Sequence, residues 1–119
     1  MQHHFTTPEQ ATRLLELGVP QTSADMYCFR DVAGNLYYNM VPSWQPIFSK
    51  QRFWDNFPHD YIPIWSVGRL MEILRKCIER NDDKEVIFMD LTYKQGPIVN
   101  LLMDVFEDMP VMDFSKLED

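Results

Sequence analysis

The sequence predicts a two-layer α+β domain in which about three helices pack on a small, mainly antiparallel sheet. Three observations carry this prediction: apolar stripes of helical period, two short aromatic-rich runs on either side of a turn, and a β-prone run between the last two helical stripes. The expected order is α-β-β-loop-α-β-α. We expect residues 1–119 to form a single domain, since a chain of this length matches one hydrophobic core.

A compact start signal opens the first helix. Thr7 can cap it, Pro8 suits its first position, and Gln10 stands where a capping box needs a reciprocal acceptor. We expect the helix to span about 8–17 and to end at Gly18, which adopts a left-handed conformation at little cost.

Two aromatic-rich runs, 26–30 and 36–41, predict a β-hairpin. The connection 31–35 contains Gly34 and Asn35, either of which can take a positive φ. Because this connection is longer than the tightest hairpin turns, the pattern leaves the register open.

Residues 42–63 have no periodicity, and their prolines and large aromatic side chains predict a long ordered loop. Two interpretations stay open: the rings form a lid over the core, or they form an interface with a partner or a second copy. A small-molecule pocket is a third, weaker interpretation. The predicted interaction surface consists of Trp44, Phe48, Phe53, Trp54, Phe57 and Tyr61, with Arg52 and Arg69 at its rim.

The second helix follows an extended lead-in. Pro63 lacks an amide hydrogen, so we expect an edge strand or a lead-in rather than a central strand, and Ser66 stands at the N-cap position. The pattern places Arg69 and Glu72 on the exposed face and ends the helix at 81–83. The buried stripe is Val67, Leu70, Met71, Leu74, Cys77 and Ile78.

Residues 85–91 form the strongest strand candidate by β propensity, and both faces of this strand would be mainly apolar. Pro97 then opens a last helix of helical apolar period, which Pro110 ends. We expect the acidic tail 111–119 to add one short pairing or to fray.

Composition restricts the classes of partner and the compartment. A net charge of −7 disfavours non-specific binding to nucleic acid or to anionic membranes. The sequence contains neither an apolar run long enough to cross a bilayer nor a secretion signal, so the default expectation is a cytoplasmic protein. Cys28 and Cys77 are then expected to be buried, reduced residues.

Candidate chemistry is sparse. The pair His3-His4 lacks a third fixed ligand, so we expect no metal site there. An enzyme hypothesis remains, in which His59 acts as a general base with Asp60 or Glu72. The acidic residues from 82 to 90 lack the spacing of a calcium loop, and the four glycines form no phosphate-binding loop, so we expect no cofactor.

Four short sequence motifs carry a resemblance to a known group of proteins. They are TPEQ at 7–10 with LLELG at 14–18, TSADMY at 22–27 and IWSVGRL at 64–70. In these motifs the chain resembles uncharacterised small proteins from prophages and mobile elements of gut anaerobic bacteria of the Bacteroides type. The aromatic loop at 42–60 is not part of that pattern. The resemblance implies a non-secreted bacterial accessory protein and brings no activity or site residues with it.

These observations favour a non-enzymatic interaction protein of a mobile element, which binds a protein partner or a second copy through the aromatic loop. The alternative is the small enzyme that uses His59 with a nearby carboxylate. A weaker alternative is an acidic mimic of DNA, since the net charge of −7 is modest for that role.

Overall fold

The computed structural model describes residues 4–41, 61–108 and 112–117, and it confirms a small α+β fold. Within these ranges, four α-helices accompany one three-stranded antiparallel sheet. The elements are α1 (Pro8–Glu16), a 3-10 turn (Gln21–Ser23), β1 (Met26–Arg30), β2 (Leu36–Met40), β3 (Ile62–Ile64), α2 (Val67–Cys77), α3 (Asn81–Tyr93), α4 (Ile98–Glu107) and a final 3-10 turn (Phe114–Leu117).

The sheet has the order β2-β1-β3, and the predicted hairpin forms its first two strands. Its register pairs Met26 with Met40, which the sequence pattern left open. Gly34 adopts the expected positive φ, at +90°. Pro63 lies in the edge strand β3 opposite Tyr27, as its missing amide hydrogen predicts.

The first helix begins and ends as its sequence predicts. Thr7 Oγ1 accepts the Gln10 amide at 3.1 Å, and Gln10 Oε1 accepts the Thr7 amide at 3.0 Å, which completes the capping box. Gly18 follows the helix with a φ of +98°. Ala11 and Leu14 direct the apolar face of α1 into the core.

The prediction of a strand at 85–91 is wrong, because these residues belong to helix α3. Their β propensity is outweighed by tertiary packing, since Ile87, Phe88 and Leu91 recur at helical spacing and pack against the core. Arg75 of α2 also lies over the ring of Phe88, with its guanidinium carbon 5.2 Å from the ring centre.

The end of the second helix also differs from the prediction. Helix α2 ends at Cys77, not at 81–83, because Ile78 takes an extended conformation and forms an isolated β-bridge with Met112. This bridge confirms a short pairing in the tail. Only residues 78–80 connect α2 to α3.

The core lies between one face of the sheet and the helices. The last helix forms as predicted and buries Val99, Leu102, Met103 and Phe106, whereas Pro110 lies outside the described residues. Trp65, between β3 and α2, is among the largest fully buried side chains. These packed elements hold two features in place, a row of aromatic rings on the sheet and a polar cluster at the β3–α2 junction.

Candidate functional site

A row of stacked aromatic rings crosses the sheet on the face that lies opposite the buried Cys28. The ring of Tyr37 stacks on Phe29 at 5.3 Å between centres, and Phe29 stacks on Tyr61 at 5.5 Å. Tyr61 in turn stacks on Tyr27 at 5.0 Å, with only 7° between the ring planes. We call Tyr27, Phe29, Tyr37 and Tyr61 the aromatic sheet face.

Strand geometry produces this row. Tyr27 and Phe29 stand two residues apart in β1, so they share a face, and the hairpin register places Tyr37 opposite Phe29. Offset aromatic pairs contribute about 0.5–1.5 kcal/mol beyond the burial of their area. The rings are therefore held rigidly, and Tyr37, in the edge strand β2, keeps 46% of its surface exposed.

The turn beside this face carries an ionised carboxylate. The backbone amide of Asn35 chiefly lowers the pKa of Asp31, and the Tyr37 hydroxyl contributes in the same direction. Asp31 Oδ1 also accepts the amides of Ala33 and Asn35, each at 2.9 Å. At neutral pH, Asp31 therefore adds a fixed negative charge beside Tyr37.

The junction between β3 and α2 contains a second, polar cluster. Ser66 caps α2, since its Oγ accepts the Arg69 amide at 3.1 Å while donating to Asp25 Oδ2 at 2.5 Å. The Ser66 amide donates to Asp25 Oδ1 at 2.9 Å. Nearby, the indole N–H of the fully buried Trp65 donates to Ser23 Oγ at 3.0 Å. The cluster ties the start of α2 to residues 23–25.

The expected placement of Arg69 on the exposed rim is wrong. Its side chain is only 8% exposed, and Nε donates to the Ser23 carbonyl oxygen at 2.7 Å. Nη1 also forms an ion pair with Glu72, one helical turn further along α2. The side chain extends inward because the 3-10 turn offers a carbonyl group there. Arg69 therefore links helix α2 to the 3-10 turn through a hydrogen bond.

An open concavity of about 400 Å³ lies over this cluster, lined by Asp25, Ser66, Gly68, Arg69 and Glu72. The Ser66 hydroxyl is engaged as both donor and acceptor, and within the described residues its side-chain acceptor is the carboxylate of Asp25. A carboxylate is a weak base at neutral pH and makes a poor activator of a serine nucleophile. The arrangement is suited to capping a helix.

Most residues of the predicted interaction surface lie outside the described residues. They are Trp44, Phe48, Arg52, Phe53, Trp54 and Phe57. Tyr61 is described, and it joins the aromatic sheet face. The enzyme hypothesis stays a prediction, because His59 and Asp60 also lie outside these ranges.

Sequence reasoning missed Tyr27, Phe29 and Tyr37 as site residues. The available signal was their alternation within two predicted strands, which places Tyr27 and Phe29 on one face. The register of the hairpin was needed to add Tyr37. The aromatic residues that cluster along the sequence lie between positions 44 and 65 instead.

The two cysteines are buried and free, as predicted. Burial raises the pKa of the Cys28 thiol and likewise that of the Cys77 thiol, because the thiolate loses solvation. Neither is suited to nucleophilic chemistry at neutral pH.

We expect both thiols to react at least about 100-fold more slowly with Ellman's reagent in the native protein than in 6 M guanidinium chloride, since reaction requires opening of the core. Absorbance at pH 8 would count the reactive thiols over time. Rapid native labelling of Cys28 or Cys77 would contradict the burial of that residue.

The part of the chain that the structure describes contains neither a cluster of metal-ligating side chains nor a helix that could cross a membrane. Within residues 4–41, 61–108 and 112–117, His, Cys, Asp and Glu side chains form no group of three or more with the geometry to hold a metal ion. No helix in the same ranges has both the length and the apolar character needed to cross a bilayer.

No protein-family model, curated protein or solved structure shows significant similarity to this chain. The motifs at 22–27 and 64–70, on which the resemblance expected from the sequence rests, meet at the β3–α2 junction. Ser23 and Asp25 belong to the motif at 22–27. They are hydrogen-bonded to Trp65, Ser66 and Arg69 of the motif at 64–70. These two motifs therefore form a structural junction of the fold. Most residues of the aromatic sheet face lie outside them.

Proposed function

We propose that this chain is a non-enzymatic interaction protein of a bacterial mobile element, which acts in the cytoplasm and binds a protein partner through the aromatic sheet face. The observation that carries the proposal is the row of four stacked rings, which ends at a half-exposed Tyr37 in an edge strand. The resemblance to mobile-element proteins supports the cellular setting.

The chemistry of this face suits protein binding. Tyrosine is enriched at the energetic centres of interfaces because it offers a large apolar ring, a hydroxyl group and few rotatable bonds. The rings of the aromatic sheet face already support one another, so binding would immobilise little additional side-chain freedom. None of the four side chains has a carboxylate or an ammonium group, so two copies of this acidic protein can meet here with the negative charge of Asp31 at the edge of the contact.

The partner to test first is therefore a second copy of the chain. We expect Tyr37→Ala to weaken self-association by about 2 kcal/mol, or roughly 30-fold in the dissociation constant, because it removes an exposed anchor ring. Sedimentation equilibrium over a concentration series would measure this change. Leu15→Ala is the control, since Leu15 is an exposed apolar residue of helix α1.

Two results would contradict the proposal in this form. One is a mass of a single chain at every concentration for the unsubstituted protein. The other is an equal effect of Tyr37→Ala and Leu15→Ala. A large drop in Tm for Tyr37→Ala at unchanged mass would assign the ring a role in stabilising the fold and not in binding.

A further inference from the structure

The surface of helix α3 that faces away from the core has an unusual composition. Apolar residues recur there at i, i+3 and i+7, and carboxylates flank them. We call this surface the outer α3 face. It consists of Asp82, Glu85, Val86, Met89, Asp90 and Tyr93.

The apolar part of this face is largely exposed. Val86, Met89 and Tyr93 are exposed to 62%, 60% and 78% respectively. The opposite side of the helix is also apolar, and there Ile87 and Leu91 pack against the core. A helix with apolar residues on both sides is ordinarily covered on both sides. The outer α3 face therefore exposes three apolar side chains that do not contribute to the core.

The charges on this face are all of one sign. Asp82, Glu85 and Asp90 are exposed, whereas Lys84 is half-buried toward the other side of the helix. Arg80 approaches Asp82, but the two charged atoms are 3.9 Å apart and both side chains are highly exposed. Such a pair contributes little. The outer α3 face thus presents a strip of negative charge around its apolar residues.

One of these carboxylates is unfavourable for the helix itself. Asp90 stands in the last turn of α3, where the helix dipole favours cations, and no basic residue accompanies it in that turn. Asp82, near the start of the helix, is stabilised by the same dipole and needs no other explanation. Asp90 therefore gains nothing from the helix dipole, and its exposed carboxylate, with Lys94 at the C-cap of the helix, faces solvent.

We infer that the outer α3 face binds a cationic amphipathic helix of a partner protein. The three apolar side chains span about 10 Å along the axis, which matches two turns of a helix laid alongside. Lysine or arginine residues flanking the partner's apolar stripe would meet Glu85 and Asp90. This inference is independent of the aromatic sheet face, which lies on a different element.

The test uses the full chain and a synthetic 18-residue helical peptide with leucine on one side and lysine on the other. Isothermal titration calorimetry gives the affinity, and amide chemical shifts of the unsubstituted protein locate the peptide. We expect shift changes centred on Val86, Met89 and Tyr93. The double substitution Glu85→Gln and Asp90→Asn, or the single substitution Met89→Ser, should each weaken binding about tenfold.

A matched control separates this face from net charge. Asp104→Asn with Asp108→Asn removes the same charge from exposed residues in α4 and at its C-cap and should leave the affinity unchanged. Four results would overturn the inference: no binding of the lysine peptide, shift changes elsewhere on the protein, equal weakening by the α4 substitutions, or equal binding of a peptide with glutamate in place of lysine. Because the shift map needs no variant, a variant that fails to fold would leave the test intact.

Discussion

Replacing Trp65 by alanine is expected to lower the free energy of unfolding by about 3–5 kcal/mol, because it empties a large space in the core. Trp65 is fully buried between β3 and α2, and its backbone amide and carbonyl are also hydrogen-bonded to Thr6. Its indole additionally donates to Ser23. Urea unfolding followed by circular dichroism would measure the loss, together with a decrease in Tm of about 10 °C or more.

The variant Trp65→Phe separates the two contributions of this side chain. It keeps an aromatic ring in the core and removes only part of the volume and the indole donor to Ser23, so an intermediate loss is expected. A loss below about 1 kcal/mol for Trp65→Ala would contradict its central place in the core. It would instead indicate that Trp65 lies at the surface.

Arg69→Met is expected to cost about 1–3 kcal/mol of stability, because the buried Ser23 carbonyl would lose its charged donor. Methionine keeps an unbranched apolar stem while removing every hydrogen bond of the guanidinium group. The ion pair with Glu72 is lost as well, although half-exposed Glu72 limits its contribution. The loss would again be read from urea unfolding.

Lys76→Met provides the control for this substitution, since Lys76 is an exposed residue of the same helix and should change stability by no more than about 0.5 kcal/mol. Self-association of Arg69→Met, measured under conditions in which the variant is folded, should match that of the unsubstituted protein. Weaker association without loss of stability would indicate that Arg69 belongs to the interaction surface. It would contradict the structural role of Arg69 in linking α2 to the 3-10 turn.

Local sequence signals predicted those parts of the fold that depend on few residues. Thr7 and Gln10 form the capping box, Ser66 caps α2, Pro63 lies in an edge strand, and Gly34 takes its positive φ. Each of these features is decided by backbone chemistry within about four residues. Such signals are available to sequence reasoning because no distant partner is needed.

The failure at 85–91 has a different origin. Its residues favour a strand by propensity, but a strand needs a neighbour to pair with, whereas a helix satisfies its own backbone groups. Apolar residues on both sides fit a covered strand and equally fit a helix that packs against the core on one side. Periodicity in a short apolar run does not separate these two states.

The candidate site was predictable only in part. Tyr61 was expected at an interface, but the rings that it stacks on come from a hairpin more than thirty residues earlier in the chain. Arg69 was misplaced because its burial depends on a carbonyl group 46 positions away. In both cases the decisive contact is non-local, and residue type alone carries no information about it.

The most direct test of the aromatic sheet face is a photo-cross-link from its exposed end. Benzoylphenylalanine at position 37 would be irradiated in a mixture of unlabelled and ¹⁵N-labelled chains, so that mass spectrometry identifies links between different molecules. We predict mixed-isotope links from position 37 to peptides that contain Tyr27, Phe29, Tyr37 or Tyr61 of the second copy. The same group at position 12, an exposed site on α1, should give few such links. Links confined within one molecule, or equal yields from positions 37 and 12, would contradict the account.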